Sequence, residues 1–379
     1  MRTSGCWGET WKFREPRGRG DTANVGGKFK YRVMNTFGRL FRVHIFGESH
    51  GESVGVNIDG CPAGMALPVE DFLPDLERRK GGMQKGTTPR KEDDLPIFKS
   101  GLFNKISTGS PITILFENNN TRSGDYEKQR AVPRPGHADF VAHSKFGGFE
   151  DYRGGGPFSA RLTVGLVAAG VIAKKLLKGI GGAAAASSGG GAHISSSILE
   201  IGGEKDLEKG LQKAIDAKDS IGGIIECRVS GLPIGLGEPF WDSVESLIAH
   251  AIFAIPAVRG VEFGTGFAAA RMFGSEHNDA IDDMQGRTRT NHAGGVVGGI
   301  TNGNELVFRL AIKPTSSTPK EQQTLNWETG QQETFSVKGR HDLCVALRAP
   351  VIVEAVTAIV LADLALLEQR VPRISRTGL

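Results

Sequence analysis

Residues 160–177 read ARLTVGLVAAGVIAKKLL, a stretch whose strongly polar members are Arg161 and the Lys174–Lys175 pair. A helix this apolar on most faces has to lie inside a core, between other layers. A second apolar run, 351–369, is interrupted only by Glu354, Asp363 and its C-terminal end. Two further helices are predicted at 69–79 and 243–253, the latter with Asp242 and Glu245 spaced as a capping box. Between them, alternating or β-branched runs predict strands at 53–58, 112–116, 223–229 and 306–312. Strands and helices come in runs and do not alternate strictly, so an α+β fold is expected over a doubly wound parallel sheet.

Composition narrows the function classes. The chain has 379 residues, 39% of them hydrophobic, enough for a large core. No uncharged apolar run approaches a membrane span, and a soluble protein without a membrane partner is expected. Its four cysteines, Cys6, Cys61, Cys227 and Cys344, show no paired spacing, which argues against a disulfide framework or a zinc site and fits a reducing cytoplasm. The formal charge of +4 misleads: residues 1–33 hold eight Lys/Arg against three Asp/Glu, which leaves residues 34–379 at −1. A nucleic-acid partner is not implied for the body of the chain.

Residues 1–33 lack periodicity and lack a secretory apolar stretch, so they are expected to be a disordered basic extension, a translated upstream region or an organellar targeting peptide ahead of a natural start at Met34. A second low-complexity segment, GIGGAAAASSGGGAHISSS at 179–197, has little apolar bulk and is expected to be a mobile loop.

Six dense segments carry candidate chemistry. Phe46-Gly47-Glu48-Ser49-His50-Gly51 puts an imidazole on a glycine-flanked turn, without the downstream context of a serine nucleophile elbow. Arg134-Pro135-Gly136-His137-Ala138-Asp139 places a guanidinium and a proton donor on a rigid turn, suited to a dianion. Asp151 to Arg161 sets three glycines before the apolar helix, where free N–H groups would face an anion, with Ser159 and Arg161 adding side-chain donors. Asn291 to Ile300 contains paired glycines, and Lys313-Pro314-Thr315-Ser316-Ser317 gathers an ammonium and three hydroxyls. Lys338-Gly339-Arg340-His341-Asp342 offers a guanidinium beside a carboxylate base. Rossmann and Walker fingerprints are both absent.

Taken in order with Asn35-Thr36-Phe37-Gly38, these six segments resemble the chorismate synthase family from Met34 to about Gln369. The resemblance implies a lyase that converts 5-enolpyruvylshikimate 3-phosphate to chorismate with reduced FMN (FMNH2), in a fold of helices sandwiched between antiparallel sheets, built as two similar halves. It further implies a homotetramer, and a flavin reductase or NAD(P)H-dependent reductant acting in trans. By the same resemblance His50, His137 and Asp342 are catalytic, while Arg79, Lys85, Arg134, Ser159, Arg161 and Arg340 hold substrate anions. The flavin is assigned to Pro157, Phe158, Ser159, Pro256, Ala257, Gly298, Lys313, Pro314, Thr315, Ser316, Ser317 and Arg340. The chain departs from the family pattern at Lys85, Pro157, Pro256 and the 181–197 segment. Competing expectations are another phosphate-ester lyase or flavoprotein, a synthase that reduces its own flavin, and a flavin-binding protein without activity.

Overall fold

Alternation of inward apolar and outward polar side chains builds the first sheet. In the computed structural model the described residues are 35–82, 85–90, 92–120, 130–180, 191–337 and 341–375. The N-terminal extension, Arg340 and most of the Gly/Ala/Ser segment therefore lie outside the described residues. The first sheet contains β1 (Thr36–Phe37), β2 (Arg42–Gly47), β3 (Ser53–Asp59), β4 (Ile97–Ser100) and β5 (Ile112–Glu117). They are ordered β1-β2-β3-β5-β4, all antiparallel, with Val56 opposite Ile114. On β5 Ile112, Ile114 and Phe116 point inward at alternate positions, as a half-buried strand requires.

The second sheet is ordered β8-β9-β7-β6, again antiparallel, from β6 (His193–Ile201), β7 (Gly223–Ser230), β8 (Val258–Phe263) and β9 (Leu306–Ile312). The central four predicted strands are thus present within one or two residues. The strand β6 starts inside the predicted mobile loop: Ser195, Ser196 and Ser197 pair with Arg228, Cys227 and Glu226. Small polar residues are tolerated there because partner β7 supplies the ladder and the buried contacts.

Two helices fill the space between the sheets. Helix α3 (Thr163–Leu177) packs on β3 and β5, α6 (Pro350–Leu367) on β6 and β7, and the two pack on each other. A Cβ on Gly170 would stand 2.3 Å from Ala355 Cβ, so the absent side chain is what lets these helices cross so closely. This is the α+β class expected from the sequence pattern and the sandwich implied by the resemblance. The remaining helices used below are α1 (Leu73–Arg79), α2 (Asp139–Phe146), α4 (Leu207–Ala217) and α5 (Val244–Ile252).

Several local expectations are corrected. The predicted 69–79 helix is a 3-10 turn at Val69–Asp71 followed by α1, and the 160–177 helix is a 3-10 turn at Ala160–Leu162 followed by α3. Helix α5 is capped by Ser243, whose hydroxyl accepts from the Ser246 amide at 3.0 Å, and not by Asp242. Asp242 belongs to the preceding turn and pairs with Arg39 at 2.6 Å. Helix α6 also has the length and composition to cross a membrane, with mean hydropathy 2.2, contrary to expectation, yet 83% of that window is buried inside the fold. Its two acids do not break it because each is satisfied. Glu354 accepts from Arg78 and Lys174, and Asp363 accepts the amides of Arg39, Leu40 and Phe41. Cys61, Cys227 and Cys344 are free and buried, and burial pushes the Cys61 and Cys227 thiols up to about 11 and about 12.

Candidate active site

Loops from both sheets meet the starts of α2, α3 and α6 around a cleft of about 350 Å3. Among the described residues seven Lys/Arg side chains line it (Arg79, Lys80, Arg90, Arg134, Arg161, Lys313 and Arg348) against three acids, Glu92, Asp94 and Asp342. The fold thus gathers an excess of four positive charges into one hollow of a body whose net charge is near zero. Such a field suits a multiply anionic substrate.

His50 sits in the turn between β2 and β3. Asn118 Nδ2 pins that turn by donating to the carbonyls of Glu48 and Gly51, at 3.1 and 2.9 Å. Burial, then the charges of Arg90 and Arg153, hold the His50 imidazole below its ordinary value. Arg90 is itself clamped by Glu92 (2.9 and 2.7 Å) and leans on Ser49. His137 is held on the other side. Its Nδ1 lies 2.6 Å from Asp139 Oδ1, so Nδ1 carries the proton of that bond and Nε2 is left for chemistry. Arg134 grips Asp139 through Nε and Nη2, at 2.7 and 2.8 Å, and donates to Ser317 Oγ at 3.2 Å. Burial opposes the charge of Asp139, but the bonds from Arg134 and His137 outweigh it and hold the carboxyl well below the usual range. This is the orienting-carboxylate logic of an acid–base pair.

The three glycines act differently from the expectation. They do not open a helix, because Pro157, Phe158, Ser159 and the 160–162 turn intervene before α3. All three have positive φ (60°, 85° and 50°) and pass between the two histidines. A Cβ at Gly154 would sit 2.3 Å from the His50 ring, and one at Gly155 would sit 3.1 Å from His137 Cε1. Only glycine allows the backbone to lie against both imidazoles.

Behind them lies a buried ion cluster. Asp94 receives Arg79 Nη2 at 2.6 Å and Arg161 Nη1 on its other oxygen. Arg161 also donates to Asn118 Oδ1 and Glu117 O, at 2.8 and 3.0 Å, which leaves its orientation no freedom. Burial works against the Asp94 charge, but Arg79 and Arg161 prevail and hold its carboxyl below the ordinary value. On the far wall Lys313 donates to Ser316 Oγ at 2.8 Å, Ser316 donates to Gly136 O at 2.7 Å, and Ala257 takes a φ of +75° beside them. Burial and neighbouring Arg259 lower the Lys313 ammonium. Asp342 is anchored through both oxygens, by the Thr88 amide at 3.0 Å and Arg348 at 2.6 Å.

A model of the chorismate synthase family matches residues 41–366. The chain belongs to the chorismate synthase family. A chorismate synthase of Chitinophaga pinensis is 70% identical over 342 residues, covering 90% of this chain and 99% of that one. One of Dehalococcoides mccartyi strain BAV1 is 46% identical, with the same two coverages. A crystal structure of a chorismate synthase superposes with a TM-score of 0.64 at 27% identity, covering 88% of this chain and 93% of that one.

Within this family member, the cleft brings together His50, His137, Asp342, Arg79, Arg134, Arg161, Phe158, Ser159, Pro256, Ala257, Lys313, Thr315, Ser316 and Ser317. Four sequence candidates do not line it. Lys85 is exposed and donates to Gln212 of α4 at 3.2 Å; Gly298 sits in the exposed hairpin joining Val297 to Ile300; Pro157 and Pro314 are exposed beside the lining residues. Ser159 does line the cleft, but its Oγ already accepts from the Arg161 amide at 3.3 Å. Sequence reasoning missed Arg90, Glu92, Asp94 and Arg348, and gave His341 no part. The stretch around Asp94 has the texture of a solvated charged loop, so nothing local marks it.

His341 also carries a pH signature. Burial, then the charge of Arg134, lowers its imidazole from 6.5 to about 4. Between those values the unfolded chain binds a proton that the folded chain does not, so stability falls as pH drops through that window. The urea midpoint of the protein is expected to fall more between pH 7 and pH 5 than that of His341→Asn. Parallel pH curves for the two would dispose of this.

Proposed function

We propose that this cleft converts 5-enolpyruvylshikimate 3-phosphate to chorismate and inorganic phosphate, a phosphorus–oxygen lyase reaction at the last step of the shikimate pathway to aromatic amino acids. The observation that carries the reading is the Arg134–His137–Asp139 unit opening on a cleft with four excess positive charges. In this 1,4-elimination a ring C–H bond and the C–O bond to phosphate break, and a new C=C bond forms.

Arg79, Arg134 and Arg161 hold the phosphate and the two carboxylates, with Arg340 added from outside the described residues. Arg90 and Arg348 extend the same field. His137, acting as the imidazolium with its Nδ1–H held by Asp139, donates its Nε2 proton to the departing phosphate, which leaves more readily once protonated. Asp342, fixed by Arg348 and the Thr88 amide, assists removal of the ring proton.

The donor set also fits a flavin. A lowered ammonium, three clustered hydroxyls and a strained Ala257 backbone line the cleft, and Phe158 adds an aromatic ring to its lining. Phe158, Ser159, Pro256, Ala257 and Lys313 to Ser317 would hold reduced FMN, which would supply a transient electron to a reaction that is redox-neutral overall. His50 faces that place as an uncharged hydrogen-bond donor more than as a proton reservoir, since its environment disfavours the cation. The reductant comes from a separate flavin reductase or NAD(P)H-dependent source. Exposed Phe240, Trp241, Phe267, Phe273 and Met284 support assembly into a homotetramer, and the free buried thiols support a reducing cytoplasm.

Incubating the protein anaerobically with 5-enolpyruvylshikimate 3-phosphate and chemically reduced FMN tests the reading. Chorismate and phosphate are expected in equal amounts. Tight flavin binding without either product would replace it with that of an inactive flavin-binding protein.

A further inference from the structure

His341 lines the cleft, yet none of the steps above uses it. Its Nε2 is buried and has no hydrogen-bond partner among the described residues, whereas its neighbour Asp342 is engaged through both oxygens. A buried polar atom left without a partner costs about 1–3 kcal/mol, so an orphan nitrogen on a residue that lines a ligand site calls for a ligand atom to satisfy it.

The chemistry of that atom follows from the surroundings. Anions in this cleft are served by arginines, and Arg134 and the charge of His137 both bear on His341, as does burial, so its imidazole stays uncharged near neutral pH. The Asp342 charge acts in the opposite direction and is outweighed. An uncharged imidazole nitrogen gains little from an anion compared with a guanidinium. A hydroxyl both donates and accepts, and so matches Nε2 in either tautomer. The substrate proposed above carries a phosphate at carbon 3 and an enolpyruvyl ether at carbon 5, which leaves one free hydroxyl, at carbon 4.

We propose that His341 Nε2 is the hydrogen-bond partner of the substrate's ring hydroxyl, a specificity-determining contact that resting on arginines alone would not provide. The inference rests on the reading of the cleft as the site for 5-enolpyruvylshikimate 3-phosphate. A site built to bond a hydroxyl rejects the analogue lacking it, because the site's own polar group is then left unpaired.

The test measures Kd by calorimetry on the FMN-bound protein, with the substrate and with its 4-deoxy analogue, for the unaltered protein, His341→Ala and His341→Asn. The unaltered protein is expected to bind the deoxy analogue roughly 10-fold or more weakly. His341→Ala is expected to bind the substrate weakly to a similar extent and to make no distinction between the two ligands, while His341→Asn recovers part of the difference. Equal affinity of the unaltered protein for both ligands would overturn the contact without any variant being needed. So would losses that multiply when His341→Ala meets the deoxy analogue. Failure of the unaltered protein to bind the substrate at all would instead remove the reading of the cleft, and this contact with it.

Discussion

His137→Ala is expected to lower kcat by about 10²–10⁴-fold while KM for 5-enolpyruvylshikimate 3-phosphate changes little. The asymmetry follows from the geometry. The groups proposed to hold anions are the arginines: Arg161 and Arg79 are fixed by Asp94, and Arg134 keeps its bonds to Asp139 and Ser317 without the imidazole. Removing the imidazole removes the proton for the leaving phosphate, an interaction made in the transition state, and leaves ground-state binding in place. Asp139→Asn is expected to show a smaller loss of the same kind. Its Nδ1 partner is lost as a carboxylate, but Arg134 still reaches Ser317 at 3.2 Å and the ring still packs against Gly155. Steady-state kinetics with reduced FMN decide the matter. A drop confined to KM would make His137 a binding residue and would return the acid role to another group.

Asp94→Ala should be the most destabilising single change in the cleft wall, by about 3–5 kcal/mol, because it strands two buried guanidinium groups without a counter-charge. The side chain of Asp94 is fully buried between Arg79 and Arg161, each itself only 4% exposed. Asp94 also adopts a φ of +51°, a conformation that asparagine tolerates and alanine does not. Asp94→Asn is therefore expected to lose less than Asp94→Ala, the gap combining the backbone conformation with the hydrogen bond that the amide oxygen still accepts. The exposed Arg42–Asp59 pair serves as the contrast: losing it should cost no more than about 1 kcal/mol. Urea midpoints of the three variants would settle this, and equal midpoints for Asp94→Ala and the surface variant would refute the clustered-charge account.

The two apolar helices and the central strands were legible because their signals are local. Alternation in Ile112–Glu117 and the all-round apolar face of Thr163–Leu177 each lie within one element. The same was true of the Arg-Pro-Gly-His-Ala-Asp turn, where Arg134, His137 and Asp139 bond to one another within five residues. Where a reading failed, the deciding partner was distant or the texture ambiguous. Ser195 to Ser197 look like loop until β7 supplies the ladder, and the Gly154–Gly156 turn looks like a helix start until His50 and His137 are seen on either side of it.

By itself, then, the sequence determined the α+β class, the buried helices and the identity of many of the groups that line the candidate cleft, since each of these depends on residue type and short-range spacing. The tertiary structure alone decided which groups share a cleft. Lys85 and Gly298 do not line it, whereas Arg90, Asp94, His341 and Arg348 do. The fold set Asp94 between one arginine 15 residues before it and another 67 residues after it. The physical reason is that convergence of charge is a property of how two sheets and their loops pack in space. Coulomb energy depends on the distances reached after folding, and separation along the chain does not encode them.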